Sequence, residues 1–194
     1  MRLPKEFFAS DTLSVARNLL GKLLVRHIDG QRLSGIVVET EAYLSADDPA
    51  SHSHRGPGRK NAAMFMPAGT LYVYSIHAKY CLNIVTEAAN TGAAVLIRAL
   101  EPWDGIEHMR IHRGREEPRD LCSGPARLCQ ALAIDLSNDK LDLLISGEVW
   151  LEKPPAEVLQ RKWQITTTSR IGISAYNMTG CPCTETFTKF AVVP

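Results

Sequence analysis

Apolar positions recur at helical spacing near the start of the chain and at strand spacing through most of its remaining length. Leu13, Ala16, Leu19 and Leu20 fall on one helical face, Ser10 or Asp11 can cap that helix, and Gly21 stands where it should end. Residues 22–28 and 32–41 then read as strands joined at Asp29-Gly30, a hairpin turn signal. Residues 46–66 mix Pro, Gly, Ser, Asp and His with little periodicity, the character of a long functional loop. A second hairpin is predicted from residues 70–76 and 80–85, with His77-Ala78-Lys79 at its tip. Residues 93–100 form a nearly continuous apolar strand broken by one charge, Arg98. Pro102 suits the first turn of a helix running to about Gly114. Ser123 is placed to cap another helix, with Pro125 in its first turn and Leu128, Cys129 and Leu132 on one face. Residues 148–152 and 171–174 are shorter strand candidates. Strands outnumber helices and hairpins are frequent, which predicts a mixed α/β domain around an antiparallel sheet.

Composition narrows this picture without redirecting it. The 194 residues, 45% of them hydrophobic, suffice for one domain with a sizeable core, and no repeat, low-complexity tract or linker divides them. No apolar run approaches the roughly 20 residues of a membrane helix, and the opening Met1-Arg2-Leu3-Pro4-Lys5-Glu6 begins no secretory signal. Five cysteines in a chain of this length read as reduced thiols in a protein that is not secreted. The net charge of +1 excludes no nucleic-acid role, because binding DNA needs a basic face rather than a basic total. Two basic clusters can supply one: Arg55, Arg59 and Lys60, then Arg110, Arg113 and Arg115 with His108 and His112 beside them. A solvated surface is the plainer reading of either.

Candidate chemistry begins with Val38-Glu39-Thr40-Glu41-Ala42-Tyr43. Residues two apart on a strand share a face, so Glu39, Glu41 and Tyr43 project together at the start of the long loop. A strand with its polar side in water gives the same spacing. Arg98, inside an apolar strand, requires a carboxylate partner, because an unpaired buried cation is costly. Glu39 and Glu41 are candidates, and Glu101 offers a surface pair instead. A Glu–Arg pair beside a cavity would hold a water and let the carboxylate take its proton. Tyr43, Tyr72, Tyr74 and Tyr80 are either core or stacking surfaces for a planar ligand. His52-Ser53-His54 has zinc-like spacing but no companion nearby, and Cys181-Pro182-Cys183 is a tight pair for one metal. There is no Gly-rich phosphate loop and no nucleophile elbow.

Taken jointly, several stretches resemble the alkyladenine (3-methyladenine) DNA glycosylase family. They are Val38-Glu39-Thr40-Glu41-Ala42-Tyr43, Ala50-Ser51-His52-Ser53, Met64-Phe65-Met66-Pro67-Ala68-Gly69-Thr70-Leu71-Tyr72-Val73-Tyr74 and Cys81-Leu82-Asn83-Ile84. Leu96-Ile97-Arg98-Ala99-Leu100-Glu101-Pro102, Leu121-Cys122-Ser123-Gly124-Pro125 and Leu128-Cys129-Gln130-Ala131-Leu132 complete the set, in the family's order and over roughly residues 3–152. The resemblance implies a single domain over residues 1–194, built on a curved antiparallel sheet with flanking helices and a β-hairpin that inserts into DNA. It implies a monofunctional, monomeric base-excision repair enzyme without cofactor or metal. Such an enzyme flips alkylated or deaminated purines from duplex DNA and hydrolyses the N-glycosidic bond with water. The lesion class comprises 3-methyladenine, 7-methylguanine, hypoxanthine and ethenoadenine. The implied location is the cytoplasm or nucleoid of a bacterium, or the nucleus of a eukaryote.

By motif, Glu41 falls on the family's general base and Arg98 on its water-holding arginine. Tyr43, His52 and Tyr74 fall on the base pocket, and Asn83 on the side chain that crowds the 2-amino group of normal guanine. His77 stands where the family's hairpin presents a tyrosine to fill the gap left by the flipped nucleotide. That departure, and a tail unlike the family's from about residue 174, keep a second reading open: a lesion-binding protein of the same fold with weak catalysis. A metal-dependent hydrolase using His52, His54 and a carboxylate is a third.

Overall fold

The computed structural model describes residues 1–171 and 188–193. Of the strand expected over residues 171–174 only Ile171 falls among them, in a turn, and the Cys181-Pro182-Cys183 tract lies outside. A first short helix, α1 (Lys5–Phe8), precedes α2 (Thr12–Leu19), where Asp11 takes the capping role by accepting the Ser14 amide at 2.8 Å. Behind α2 come β1 (Leu23–Ile28) and β2 (Gln31–Tyr43), paired antiparallel with Ile28 opposite Gln31. Asp29 and Gly30 both adopt left-handed backbone, the mirror-image turn whose twist matches a two-residue hairpin.

The second hairpin joins β3 (Leu71–Ile76) to β4 (Lys79–Thr86). Its turn is two residues, His77 and Ala78, rather than the three expected, because Lys79 already pairs with Ile76. β5 (Ala93–Asp104) runs four residues past the expected strand and contains Pro102, so α3 (Ile106–Arg113) starts later than the sequence suggests. Pro102 is tolerated because the pairing with β2 slips there: Gly35 faces Pro102 and Ser34 faces Asp104. A proline, which cannot donate to the ladder, fits such an irregularity. Gly35 is required at this close approach, since a Cβ on it would lie 2.8 Å from the Leu100 Cβ.

A short α4 (Pro118–Leu121) leads to α5 (Pro125–Ala131). Gly124, not Ser123, occupies the cap of α5, and the Ser123 hydroxyl instead accepts from Arg127 at 2.9 Å. Leu128, Cys129 and Leu132 are fully buried as expected. β6 (Val149–Glu152) covers the expected 148–152 strand, followed by α6 (Ala156–Leu159), β7 (Gln164–Ser169) and β8 (Thr188–Val193).

The strands form one curled antiparallel sheet in the order β3-β4-β5-β2-β1-β6, with β8 also on β2 and β7 on β8. β2 therefore changes neighbour along its length: residues up to Ile36 pair with β1, and Glu39 to Glu41 pair with β8. One face of the sheet carries Val73, Leu82, Ile84, Val95, Ile97 and Ala42 into the main core beneath α2 and α5. The opposite face carries the polar residues Glu41 and Asn83 between two smaller apolar clusters, one with Tyr72, Val85 and Ala94 and one with Leu23, Val25 and Ile36. Among the described residues no helix is long and apolar enough to cross a membrane.

Candidate functional site

Residues opposite each other in an antiparallel ladder share a face of the sheet. The register draws one rung across five strands: Tyr72 faces Asn83, Asn83 faces Leu96, Leu96 faces Glu41, and Glu41 faces Lys189. Between Val37 and Thr40 the pairing of β2 with β5 slips twice, leaving Val38 and then Arg98 without an opposite residue. Such bulges re-aim side chains and recur beside functional sites. Here they gather Glu39, Glu41 and Arg98.

Glu41 has no exposed surface, and its carboxylate is surrounded by donors. Its Oε1 accepts the backbone N–H of Ile171 at 2.8 Å and lies 3.2 Å from Arg98 Nη1. Its Oε2 accepts the Tyr43 hydroxyl at 3.1 Å. Arg98 turns its Nε toward Glu39 at 3.2 Å, and Lys189 Nζ reaches the same Glu39 oxygen at 2.6 Å. Arg98 thus meets both acids that the sequence offered as partners on β2. Glu101, the surface alternative, pairs with Arg161 at 2.7 Å instead.

Beside this cluster a cavity of about 90 Å³ is lined by Tyr43, Ala50, His52, Met64, Tyr72, Tyr74 and Asn83. The His52 imidazole shares a hydrogen bond with the Tyr72 hydroxyl at 2.8 Å, and meets the Tyr74 ring edge-to-face at 4.6 Å. Partial burial lowers the His52 pKa and favours the neutral ring at the pocket rim. Burial also pushes the Tyr43, Tyr72 and Tyr74 hydroxyls up, so all three stay protonated donors at neutral pH. Asn83 donates its amide to the Tyr72 carbonyl at 3.2 Å, which fixes its orientation on the cavity floor.

The loop between β2 and β3 holds its pocket residues through two polar anchors. Asn61 donates to the carbonyls of His52 at 2.7 Å and Gly56 at 3.1 Å. Asp48 accepts the amides of Leu44 and Ala50, and its carboxylate is bridged by both terminal nitrogens of Arg170, at 2.6 and 2.7 Å. Both partners of that bridge are buried, and the Arg170 guanidinium lies 4.2 Å from the centre of the Tyr43 ring. Tyr43 is therefore clamped from behind while its hydroxyl points at Glu41. Neither Asp48, Asn61, Lys189 nor Arg170 was marked by the sequence, since nothing local distinguishes an acid or amide in a polar loop from a buried anchor. Arg170 lies 122 residues from Asp48 along the chain.

His77 and Ala78 both have positive φ and are exposed, and neighbouring Ile76 is 51% exposed. The hairpin carrying Tyr74 into the pocket thus ends in a protruding tip. Basic groups border it on both sides. Lys79, Arg113, Arg115 and Arg127 line one groove, and Arg55, Arg59 and Lys60 line the other. Part of the second expected cluster is occupied locally, since Arg110 pairs with Glu107 and Arg113 donates to the Leu121 carbonyl. His52 and His54 do not converge, because His54 bonds the Ala46 carbonyl. Among the described residues no three His, Cys, Asp or Glu side chains gather at metal-binding spacing.

Residues 6–184 match the model of the methylpurine-DNA glycosylase family. The DNA-3-methyladenine glycosylase of Mus musculus is 48% identical over 184 residues, covering 89% of this chain and 54% of its own. The chain thus spans about half the length of the mouse protein. The Homo sapiens protein of the same name is 44% identical over 184 residues, covering 89% of this chain and 60% of its own. A Rhodopirellula baltica relative, provisionally assigned as a 3-methyladenine DNA glycosylase, is 49% identical over 177 residues, or 89% and 75% of the two chains.

Proposed function

The chain belongs to the methylpurine-DNA glycosylase family, and on that premise we propose that it is a monofunctional, base-excising DNA repair enzyme for damaged purines in duplex DNA. The observation that carries this reading is Glu41, buried and held by Arg98, Tyr43 and a backbone amide beside a pocket of aromatic side chains. A buried carboxylate so oriented is placed to accept a proton, and the aromatic lining of the pocket suits a planar ligand.

The steps follow from these groups. A purine flipped out of the stack enters between Tyr43, His52 and Tyr74, where stacking accepts several lesion shapes. Alkylation or protonation weakens the bond between the purine nitrogen and C1′, and as it breaks its electrons leave with the base. The sugar becomes cation-like, and the Glu41 carboxylate stabilises it. Water attacks C1′ while Glu41 accepts its proton, with Arg98 orienting the water. The products are a free purine and an abasic site. Asn83 excludes normal guanine by crowding its 2-amino group. The His77 tip occupies the gap in the duplex, and the bordering basic groups contact phosphates. The protein acts as a monomer and a single domain.

The test is release of free base from duplexes carrying 3-methyladenine, hypoxanthine or ethenoadenine. Release from at least one of them, leaving an abasic site, is the expected result. Tight binding of these duplexes without base release would assign the chain instead as a lesion-binding protein of this fold.

A further inference from the structure

Glu39 and Lys189 stand outside the groups to which the reaction has been assigned, yet both are tied to it. Glu39 accepts from Arg98 Nε, while the adjoining Nη1 of the same guanidinium faces Glu41. A guanidinium is a rigid plane, so two carboxylates on different edges fix its rotation as well as its place. Lys189 comes from β8, directly across the ladder from Glu41, and its ammonium meets the same Glu39 oxygen that holds Arg98. None of the four side chains is more than 23% exposed. The cluster contains two carboxylates and two cations, so the loss of any single member leaves it with a net charge.

We propose that Glu39 and Lys189 are positioning residues for base excision: Glu39 sets the orientation of Arg98 against Glu41, and Lys189 offsets the charge that Glu39 places beside the catalytic carboxylate. The proposal rests on the glycosylase reading above. Without Lys189, Glu39 would add an uncompensated negative charge next to Glu41 and compete with it for Arg98. Without Glu39, Arg98 would keep one anchor and lose its fixed plane. Among the described residues, the charged and titratable groups around Glu41 are Glu39 and Tyr43 on its own strand, Cys81 on β4, Arg98 on β5, Lys189 on β8, and Arg170 behind Tyr43. Only Glu39 and Lys189 are changed in the test.

An ion pair that merely pinned β8 to β2 would affect stability and leave the pH dependence of the reaction unmoved. Single-turnover base release from a duplex carrying hypoxanthine, followed across pH, separates the two roles. Glu39→Gln is expected to lower the plateau rate about tenfold through misplacement of Arg98. It should also move the acid limb of the profile to lower pH, since an anion beside the base is gone. Lys189→Met is expected to move the same limb to higher pH, since a cation that favours the ionised carboxylate is gone. Lys189→Arg, which keeps the charge and preserves the strand pairing, should return the limb to the wild-type position. Affinity for the lesion duplex should change little in all three. The proposal is overturned if either Glu39→Gln or Lys189→Met keeps the wild-type acid limb, if both move it the same way, or if Glu39→Gln keeps the wild-type plateau. Wild-type protein that releases no base from any damaged duplex would overturn the glycosylase reading itself, an outcome distinct from active wild type with unmoved variants.

Discussion

Glu41 receives a backbone amide, a phenol and a guanidinium while fully buried, and each donor comes from a different part of the chain. Its face was legible in the sequence, because pleat parity alone puts Glu39, Glu41 and Tyr43 on one side. That Arg98 needs an acid was equally legible from its apolar surroundings. Which acid it meets was not, since the answer depends on two bulges and on a strand from the other end of the chain. Asn83 is a polar residue in a predicted strand, and the register places it in the pocket lining at 4% exposure. If its side chain excludes guanine by contact, Asn83→Ser widens the pocket there and is expected to raise release of undamaged guanine. Guanine release that stays at background in a folded Asn83→Ser protein would remove Asn83 from the specificity of the site.

At the scale of elements, the hairpin and the long loop carry different burdens. The loop is pinned by the Asp48–Arg170 bridge, both of whose side chains are buried. Removing one partner of such a pair costs about 3–5 kcal/mol. Asp48→Ala is therefore expected to lower the melting temperature by roughly 10 °C for a domain of this size. A shift of a degree or so in a calorimetric scan would show that the bridge is dispensable. The hairpin tip stores strain instead, since His77 and Ala78 both adopt left-handed backbone that suits Gly or Asn better. If the tip fills the gap left by a flipped nucleotide, His77→Ala should slow excision of paired lesions and spare bulged ones, where flipping costs less. Equal rates on paired DNA for His77→Ala and wild type would move the wedge to a neighbouring residue. The hairpins were readable from Asp29-Gly30 and from the two strand-like runs on either side of His77. The start of α3 was not, because a proline inside a strand reads as a helix start unless the slipped pairing opposite Gly35 is known.

For the molecule as a whole, 22 basic and 21 acidic residues leave a charge of +1, but the basic groups are gathered around the hairpin. Asp48 and Glu41 are buried, while Arg55, Arg59, Lys79 and Arg115 stay exposed around the hairpin. DNA binding is therefore expected to weaken steeply with salt, with a log–log slope of about −0.9 per neutralised phosphate, despite the near-neutral total. Affinity that is flat between low and physiological salt would contradict the basic face. The mixed fold around an antiparallel sheet was legible from hairpin signals, but the β7–β8 ribbon was not. β7 is a solvent-facing, threonine-rich strand without apolar alternation, and β8 gains its place by pairing with β2 and β7 and by burying Phe190 in the main core.

Single-turnover base release by Glu41→Gln tests the central claim most directly. The substitution keeps the size of the side chain and removes the proton acceptor. The rate of base release is expected to fall on the order of 10²-fold or more, with affinity for the lesion duplex close to that of the wild type. A folded Glu41→Gln protein that releases base within a few-fold of the wild-type rate would show that Glu41 is not the base.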